Sequence, residues 1–278
     1  KLLSLSEDNV APNDLVRAIL KAEADLLWIG GIGTYVRSNS ESNAEAGDRA
    51  NDAVRVDGGE LRCKVLGEGG NLGLTQRGRI EYARKGGRLN TDAVDNSGGV
   101  DCSDREVNIK ILLNAEVADG ELTMKQRDRL LKDMTDDVAE LVLVDNYRQS
   151  EAITLLDRSA PERLESHSRF MRTLQRDGKL DREVEHLPGD EELAERAADH
   201  AGLSRPELSV VLAYGKMILS EDLLESDLPD DTYLNADLVR AFPKQLRKKY
   251  KTGIQNHPLR RELMATVVAN SLINRVGP

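Results

Sequence analysis

Val65-Leu66-Gly67-Glu68-Gly69-Gly70-Asn71-Leu72-Gly73 is the stretch on which the reading of this chain turns. A short apolar run of β type leads into a glycine-rich polar turn, and Thr75 to Arg84 then has helical character, closed by Gly86-Gly87. The same form recurs further on. Asp92 to Asp95 reads as a short strand and Asp95-Asn96-Ser97-Gly98-Gly99-Val100-Asp101-Cys102-Ser103 as its turn. From Ser103 the spacing of Val107, Ile111, Ala115 and Ala118 is helical. In a parallel sheet covered by helices, the turns at the carboxyl ends of the strands form the crevice where ligands bind. Glycine lets backbone approach a ligand, and the N–H groups that open a helix favour negative charge. Asparagine brings one acceptor and two donors, which suits a ribose or a carboxamide.

Composition narrows the function classes. The net charge is -10, with 32% charged and only 3% aromatic residues. Neither a phosphate-binding stripe nor a base-stacking platform is evident, so nucleic acid is not an expected partner. The four histidines, His167, His186, His200 and His257, show no metal-ligand spacing with one another or with the cysteines, and no metal is expected. Cys63 and Cys102 are expected to be two buried reduced thiols, which suits a cytoplasmic setting. No apolar run approaches the roughly 20 residues that span a bilayer. The opening Lys1-Leu2-Leu3-Ser4 has no initiator Met and is read as a cut inside a longer protein.

Along the chain, Pro12 to Ala22 is helical by spacing, and Ala24 to Ile29 is a short buried strand ending at Gly30-Gly31. Val54-Arg55-Val56 and Leu61-Arg62-Cys63 alternate around Asp57-Gly58-Gly59-Glu60, a hairpin signal. Beyond about residue 105 strand signals cease. One amphipathic stretch runs from about Met124 to Leu156, with a bend expected near Asp145-Asn146. Another follows Pro161, a third begins at Asp190, and a fourth follows Ser204-x-x-Glu207; the last starts near Pro258. The fold class is α/β plus all-α: residues 1–105 as the C-terminal part of a nucleotide-binding α/β domain, and 106–278 as a helical domain.

Glu68-Gly69-Gly70-Asn71 resembles the Glu-Gly-Ala-Asn turn of the glutamate dehydrogenase superfamily, and Asn96 to Ser103 is similar to its Asn-Ala-Gly-Gly-Val-x-x-Ser segment. Asp25 to Val36 narrows the likeness to the large NAD-dependent glutamate dehydrogenases of bacteria. It continues through Leu203 to Leu208 and His257 to Glu262, and so covers nearly the whole chain. Ile29 departs from it, because Asn is expected there.

The resemblance implies a Rossmann-like domain, NAD as cofactor, and oxidative deamination of L-glutamate to 2-oxoglutarate and ammonia, in a homo-oligomeric full-length protein. It implies that Asn71 contacts the ribose near the nicotinamide, with Gly69 and Gly70 admitting the cofactor. Asn96 would hold the carboxamide, and Gly30 and Gly31 would flank the cofactor. Ser103 would hydrogen-bond the side-chain carboxylate of glutamate, and Val100 would pack on its methylenes. Plain structural roles stand beside each of these: a capping Asn71, an Asx-turn Asn96, an N-cap Ser103 and a core Val100. Trp28 is expected in the core. The family's catalytic lysine and aspartate have no counterpart here, so this chain alone is expected to be inactive. The alternatives are another amino-acid dehydrogenase of the same superfamily, or a helical scaffold or regulatory module.

Overall fold

The structure, a computed structural model, describes Leu3, Leu5 and residues 9–278. Its contacts divide the chain into two compact units, each made of two separate segments. The first is Lys1–Asn96 with Ile153–Val211, and the second is Ser97–Ala152 with Leu212–Pro278.

In the first unit, α1 (Pro12–Leu20) begins with its proline in the first turn, where a missing N–H leaves no hydrogen bond unmade. The apolar run after it forms β1 (Leu26–Ile29). This strand pairs in parallel with β4 (Val65–Glu68), in the register Leu26 to Val65, Leu27 to Leu66, Trp28 to Gly67 and Ile29 to Glu68. A second parallel pair is made by β2 (Val36–Arg37) and β3 (Val56–Asp57). Ile29, Val36, Val56, Leu66 and Leu74 pack with Tyr82 and Leu89 in one core. Leu26, Trp28 and Val65 lie exposed, so within the described residues only one face of this sheet is covered. Trp28 is 58% exposed, not in the core as expected, because period-2 alternation puts Ile29 inward and Trp28 outward.

Two further expectations fail here. The hairpin around Gly58-Gly59 is instead a parallel β2–β3 pair followed by a 3₁₀ turn, Gly58–Glu60. Gly58 lies against the backbone of Gly78, where an added Cβ would stand 2.4 Å from the Gly78 carbonyl oxygen. The glycine pair therefore serves helix contact, not chain reversal. The expected strand at Asp92 to Asp95 is a short helix, because both aspartates turn back to accept backbone N–H groups, as described below. In chain order the helices so far are α2 (Asn43–Ala46), α3 (Gln76–Arg84) and α4 (Asp92–Asp95). The Thr75 side chain caps α3 by accepting from Gly78 N at 3.0 Å.

The remaining helices are α5 (Ser97–Ala118), α6 (Met124–Asp133), α7 (Thr135–Arg158), α8 (Leu164–Arg176), α9 (Asp190–Ala198), α10 (Arg205–Glu225), α11 (Asn235–Arg240), α12 (Lys244–Lys249), α13 (Lys251–Gln255) and α14 (Arg260–Val276). The long stretch expected from Met124 to Leu156 is interrupted at Met134, not bent near Asp145. The break turns Met134 into the second unit's core with Ile109, Leu112, Leu113, Leu246 and Met264. Cys63 is buried but Cys102, on α5, is exposed, and both are free, which corrects the expectation of two buried thiols. Among the described residues no helix is long and apolar enough to cross a membrane, and no cluster of His, Cys, Asp or Glu has metal-site geometry.

Candidate functional site

The turn after β4 is shaped first by its own neighbours. The Trp28 indole lies over Gly67 and Gly69, where added Cβ atoms would stand 2.6 and 2.5 Å from ring carbons. An added Cβ on Gly70 would stand 2.7 Å from the Gly31 carbonyl oxygen, so the loops after β1 and β4 touch backbone to backbone. Gly69 and Gly70 are therefore explained by packing within the chain. The other loop differs. A Cβ on Gly31 would meet nothing within 4 Å, and one on Gly30 only the indole edge at 3.5 Å. Among the described residues, nothing requires glycine at these two positions.

Next comes Leu72, a non-glycine residue held in the left-handed region at φ 57 and 63% exposed. Such a conformation costs about 1–2 kcal/mol in an L-residue and persists only where surrounding bonds enforce it. Here the Leu72 N–H donates to Asp92 Oδ2 at 2.8 Å, while its carbonyl accepts from Thr34 Oγ1 at 2.8 Å. The neighbouring Gly73 carbonyl accepts from Tyr35 N at 2.9 Å.

Asp92 belongs to a buried charge network. Arg79 on α3 grips Glu68 at two points, Nε to Oε1 at 2.6 Å and Nη2 to Oε2 at 2.9 Å, and its Nη2 also meets Asp92 at 3.1 Å. The Arg79 and Glu68 side chains are 5% and 0% exposed. Glu68 Oε2 further accepts from Leu74 N at 3.2 Å. Asp95 Oδ2 accepts from Glu68 N at 3.1 Å, and its Oδ1 from Asn90 Nδ2 at 2.8 Å. Burial pushes the Glu68 and Asp95 carboxyls up from their ordinary range. The two aspartates thus bind α4 to the end of β4 and its turn.

That attachment sets Asn96, immediately after α4, beside Asn71: Asn96 Nδ2 donates to Asn71 Oδ1 at 2.7 Å. In this orientation, among the described residues, Asn96 Oδ1 is left to accept and the Asn71 amide nitrogen to donate. Of the residues singled out from sequence, Gly30, Gly31, Gly69, Gly70, Asn71 and Asn96 all fall in the first unit, where the structure brings the two asparagines into direct contact.

Val100 and Ser103 belong to the second unit. Ser103 does not open a helix, as expected, but sits inside α5, which starts at Ser97 directly after Asn96. It therefore has neither an N-cap role nor the open N–H groups of a first turn. Its Oγ donates weakly to the Gly99 carbonyl at 3.2 Å and is exposed. Val100 is 63% exposed, so it is not core within the described residues. Three residues apart, Val100 and Ser103 share an exposed helix face. Around the helix, Ser97 and Arg105 turn to α7. Asn146 Nδ2 donates to Ser97 Oγ at 2.9 Å, and Arg105 bridges Asp101 and Asp145 while donating to the Ala241 carbonyl at 3.0 Å.

Sequence reading missed the roles of Glu68, Arg79, Asp92 and Asp95, although Glu68 and Asp95 stand inside the quoted motifs. It also missed Lys216, whose Nζ donates to Gln149 Oε1 at 2.5 Å and whose ammonium burial lowers to about pKa 8. The available signal was an Arg one helical turn past the cap of α3, with two carboxylates three residues apart before Asn96.

Residues 1–156 match the family described as bacterial NAD-glutamate dehydrogenase, catalytic domain, and residues 200–278 match glutamate dehydrogenase, C-terminal. The NAD-specific glutamate dehydrogenase of Halomonas elongata is 52% identical over 277 residues, which is 100% of this chain and 17% of that protein. That of Pseudomonas aeruginosa is 54% identical over 273 residues, 98% of this chain and 17% of the relative. That of Mycobacterium tuberculosis is 46% identical over 268 residues, 96% of this chain and 16% of the relative. The chain thus spans about 17% of the length of the relatives it matches.

Proposed function

The chain belongs to the bacterial NAD-glutamate dehydrogenase family, and from that premise we propose that it serves as one part of a longer NAD-specific enzyme. The reaction is the oxidative deamination of L-glutamate with water to 2-oxoglutarate and ammonium. Bound NAD supplies the acceptor for the hydride that leaves the substrate's α-carbon. The α/β portion of the first unit is proposed as the C-terminal part of a Rossmann-type nucleotide-binding domain. Its parallel β1–β4 pair, with both loops at the carboxyl ends, is what such a domain presents to a ligand.

The amide pair carries this reading. A nicotinamide carboxamide offers an N–H2 that Asn96 Oδ1 accepts, and the adjoining ribose offers hydroxyl oxygens to which the Asn71 amide donates. Each free atom of the pair thereby has a partner of the right polarity. The open space at Gly30 and Gly31 fits backbone approach by the same ligand. Gly69 and Gly70 support it less, being accounted for by Trp28 and Gly31.

On α5, Ser103 is proposed to hold the substrate's side-chain carboxylate, with Val100 along its methylenes. To do so the hydroxyl proton swings away from the Gly99 carbonyl, a 3.2 Å bond that is readily exchanged. A hydroxyl favours an acidic substrate over a hydrocarbon one, which gains nothing from a desolvated Oγ. The groups that polarise the substrate and move its protons are assigned to the rest of the longer protein. The test is reduction of NAD by the longer protein with L-glutamate, compared with leucine and phenylalanine. Preference for either of the last two overturns the substrate assignment, and absence of NAD-dependent turnover with all three overturns the reaction.

A further inference from the structure

We propose that Asp92 and Asp95 are positioning residues, a two-carboxylate latch that holds the β4 turn in its left-handed form and so keeps Asn71 and Asn96 paired for the cofactor. The inference rests on the reading of those asparagines as cofactor residues. The latch works through backbone. Asp92 takes the Leu72 N–H and Asp95 takes the Glu68 N–H, one on each side of Gly69-Gly70-Asn71. Both aspartates lie on α4, a helix of only 4 residues that Asn96 follows directly. Asn71 and Asn96 are thus fixed to the same two anchor points from opposite ends.

The anchors are themselves held. Asp92 is tied by Arg79, and Arg79 by the buried Glu68 at the end of the strand. Asp95 is tied by Asn90, whose Oδ1 accepts from Arg205 Nη2 at 2.8 Å. Leu72 shows that this order is imposed on the turn. Its side chain is 63% exposed and so gains little from burial that would offset a left-handed backbone. A turn selected for stability alone would carry glycine or asparagine there. Leucine restricts the turn, and the latch drives it into the one form that presents Asn71.

Leu72→Gly keeps both carboxylates and relieves the backbone strain, so the thermal midpoint stays level or rises and the KM for NAD holds near the parent value. Asp92→Ala removes the anchor while Leu72 still disfavours the left-handed form, so the KM for NAD rises about tenfold, in line with the sensitivity of reaction to placement. Asp92→Asn, which keeps an acceptor for the Leu72 N–H, restores part of the loss, and so does Leu72→Gly added to Asp92→Ala, because glycine takes the left-handed form without enforcement. All are measured in the longer protein, with the KM for glutamate as internal control and Asn71→Ala and Asn96→Ala alongside.

An NAD KM that stays at the parent value in Asp92→Ala, while rising in Asn71→Ala and Asn96→Ala, overturns the latch alone. An unchanged KM in the asparagine variants too overturns the cofactor assignment and the latch with it. Should Asp92→Ala fail to fold, Asp95→Ala, which releases the Glu68 N–H at the other anchor, decides the matter: a raised NAD KM supports the latch and an unchanged one overturns it.

Discussion

Asn96 Nδ2 donates to Asn71 Oδ1 at 2.7 Å, joining two turns 25 residues apart in the chain. Two side chains that share a hydrogen bond and a ligand do not act independently. Asn71→Ala and Asn96→Ala are each expected to weaken NAD in the longer protein by about tenfold, near 1.4 kcal/mol. The double variant is expected to lose less than the product, with a coupling of about 0.5–1.5 kcal/mol. A full double-mutant cycle on KM for NAD checks this, and strict additivity would count against the shared role.

Ser103→Ala gives a cleaner test than an N-cap would have allowed. Because Ser103 lies within α5 and its Oγ, among the described residues, makes only the 3.2 Å bond to Gly99, its loss is expected to change stability by less than about 0.5 kcal/mol. If Oγ donates to a substrate carboxylate, affinity for glutamate and 2-oxoglutarate falls by roughly 10- to 150-fold, the worth of a charge-assisted bond of 1.5–3 kcal/mol, while NAD is little affected. Steady-state kinetics with both substrates and a melting curve decide. A normal KM for glutamate removes Ser103 from the site.

How much of this was legible in the sequence depends on the scale of the interaction. Local signals read well: the Leu26 to Ile29 and Val65 to Glu68 strands, the helix expected over Thr75 to Arg84, and the helix openings at Pro12 and Asp190 all stand close to where spacing placed them. The two asparagine turns stood out as chemistry, although their mutual bond was not visible. What failed was decided by non-local partners. Asp92 to Asp95 carries no pattern separating strand from helix, and its form follows from carboxylates reaching Leu72 N and Glu68 N. Gly58-Gly59 looks like a hairpin until the close approach of Gly78 is known. Trp28 is expected in the core, yet its strand alternation puts it on the open face.

The glycines of the β4 turn make separable predictions. Gly70→Ala places a Cβ 2.7 Å from the Gly31 carbonyl oxygen, and backbone cannot step aside cheaply, so a loss of about 1–3 kcal/mol is expected. Gly69→Ala meets the Trp28 ring at 2.5 Å, but that indole is 58% exposed and can rotate outward. Its expected cost is below about 1 kcal/mol. Trp28 is the sole tryptophan, so its fluorescence reports the difference directly. The emission should change in Gly69→Ala and hold in Gly70→Ala, and equal destabilisation without an emission change would refute the arrangement.

His167 on α8 sets a pH dependence of known sign. It is 2% exposed, neither ring nitrogen has a hydrogen-bond partner among the described residues, and burial, with the nearby Arg163 charge, lowers its pKa to about 4. Above pH 6.5 the imidazole is neutral in both folded and unfolded chains, and its titration contributes nothing. As pH falls from 6.5 towards 4 the unfolded chain takes up the proton and the folded chain does not, so stability is lost across that window. The total is roughly 3 kcal/mol, from a shift of about two and a half pKa units. Glu68 and Asp95, whose carboxyls are pushed up, act in the opposite sense as pH falls, so the raw pH profile mixes these contributions. The difference between the parent and His167→Leu isolates the histidine. Leucine removes two unpartnered polar atoms, so the variant is expected to be at least as stable at pH 7, and its advantage should widen steadily towards pH 4. Denaturant unfolding of both proteins at several pH values measures this. An advantage that stays constant with pH would mean that the folded protein accommodates a charged His167.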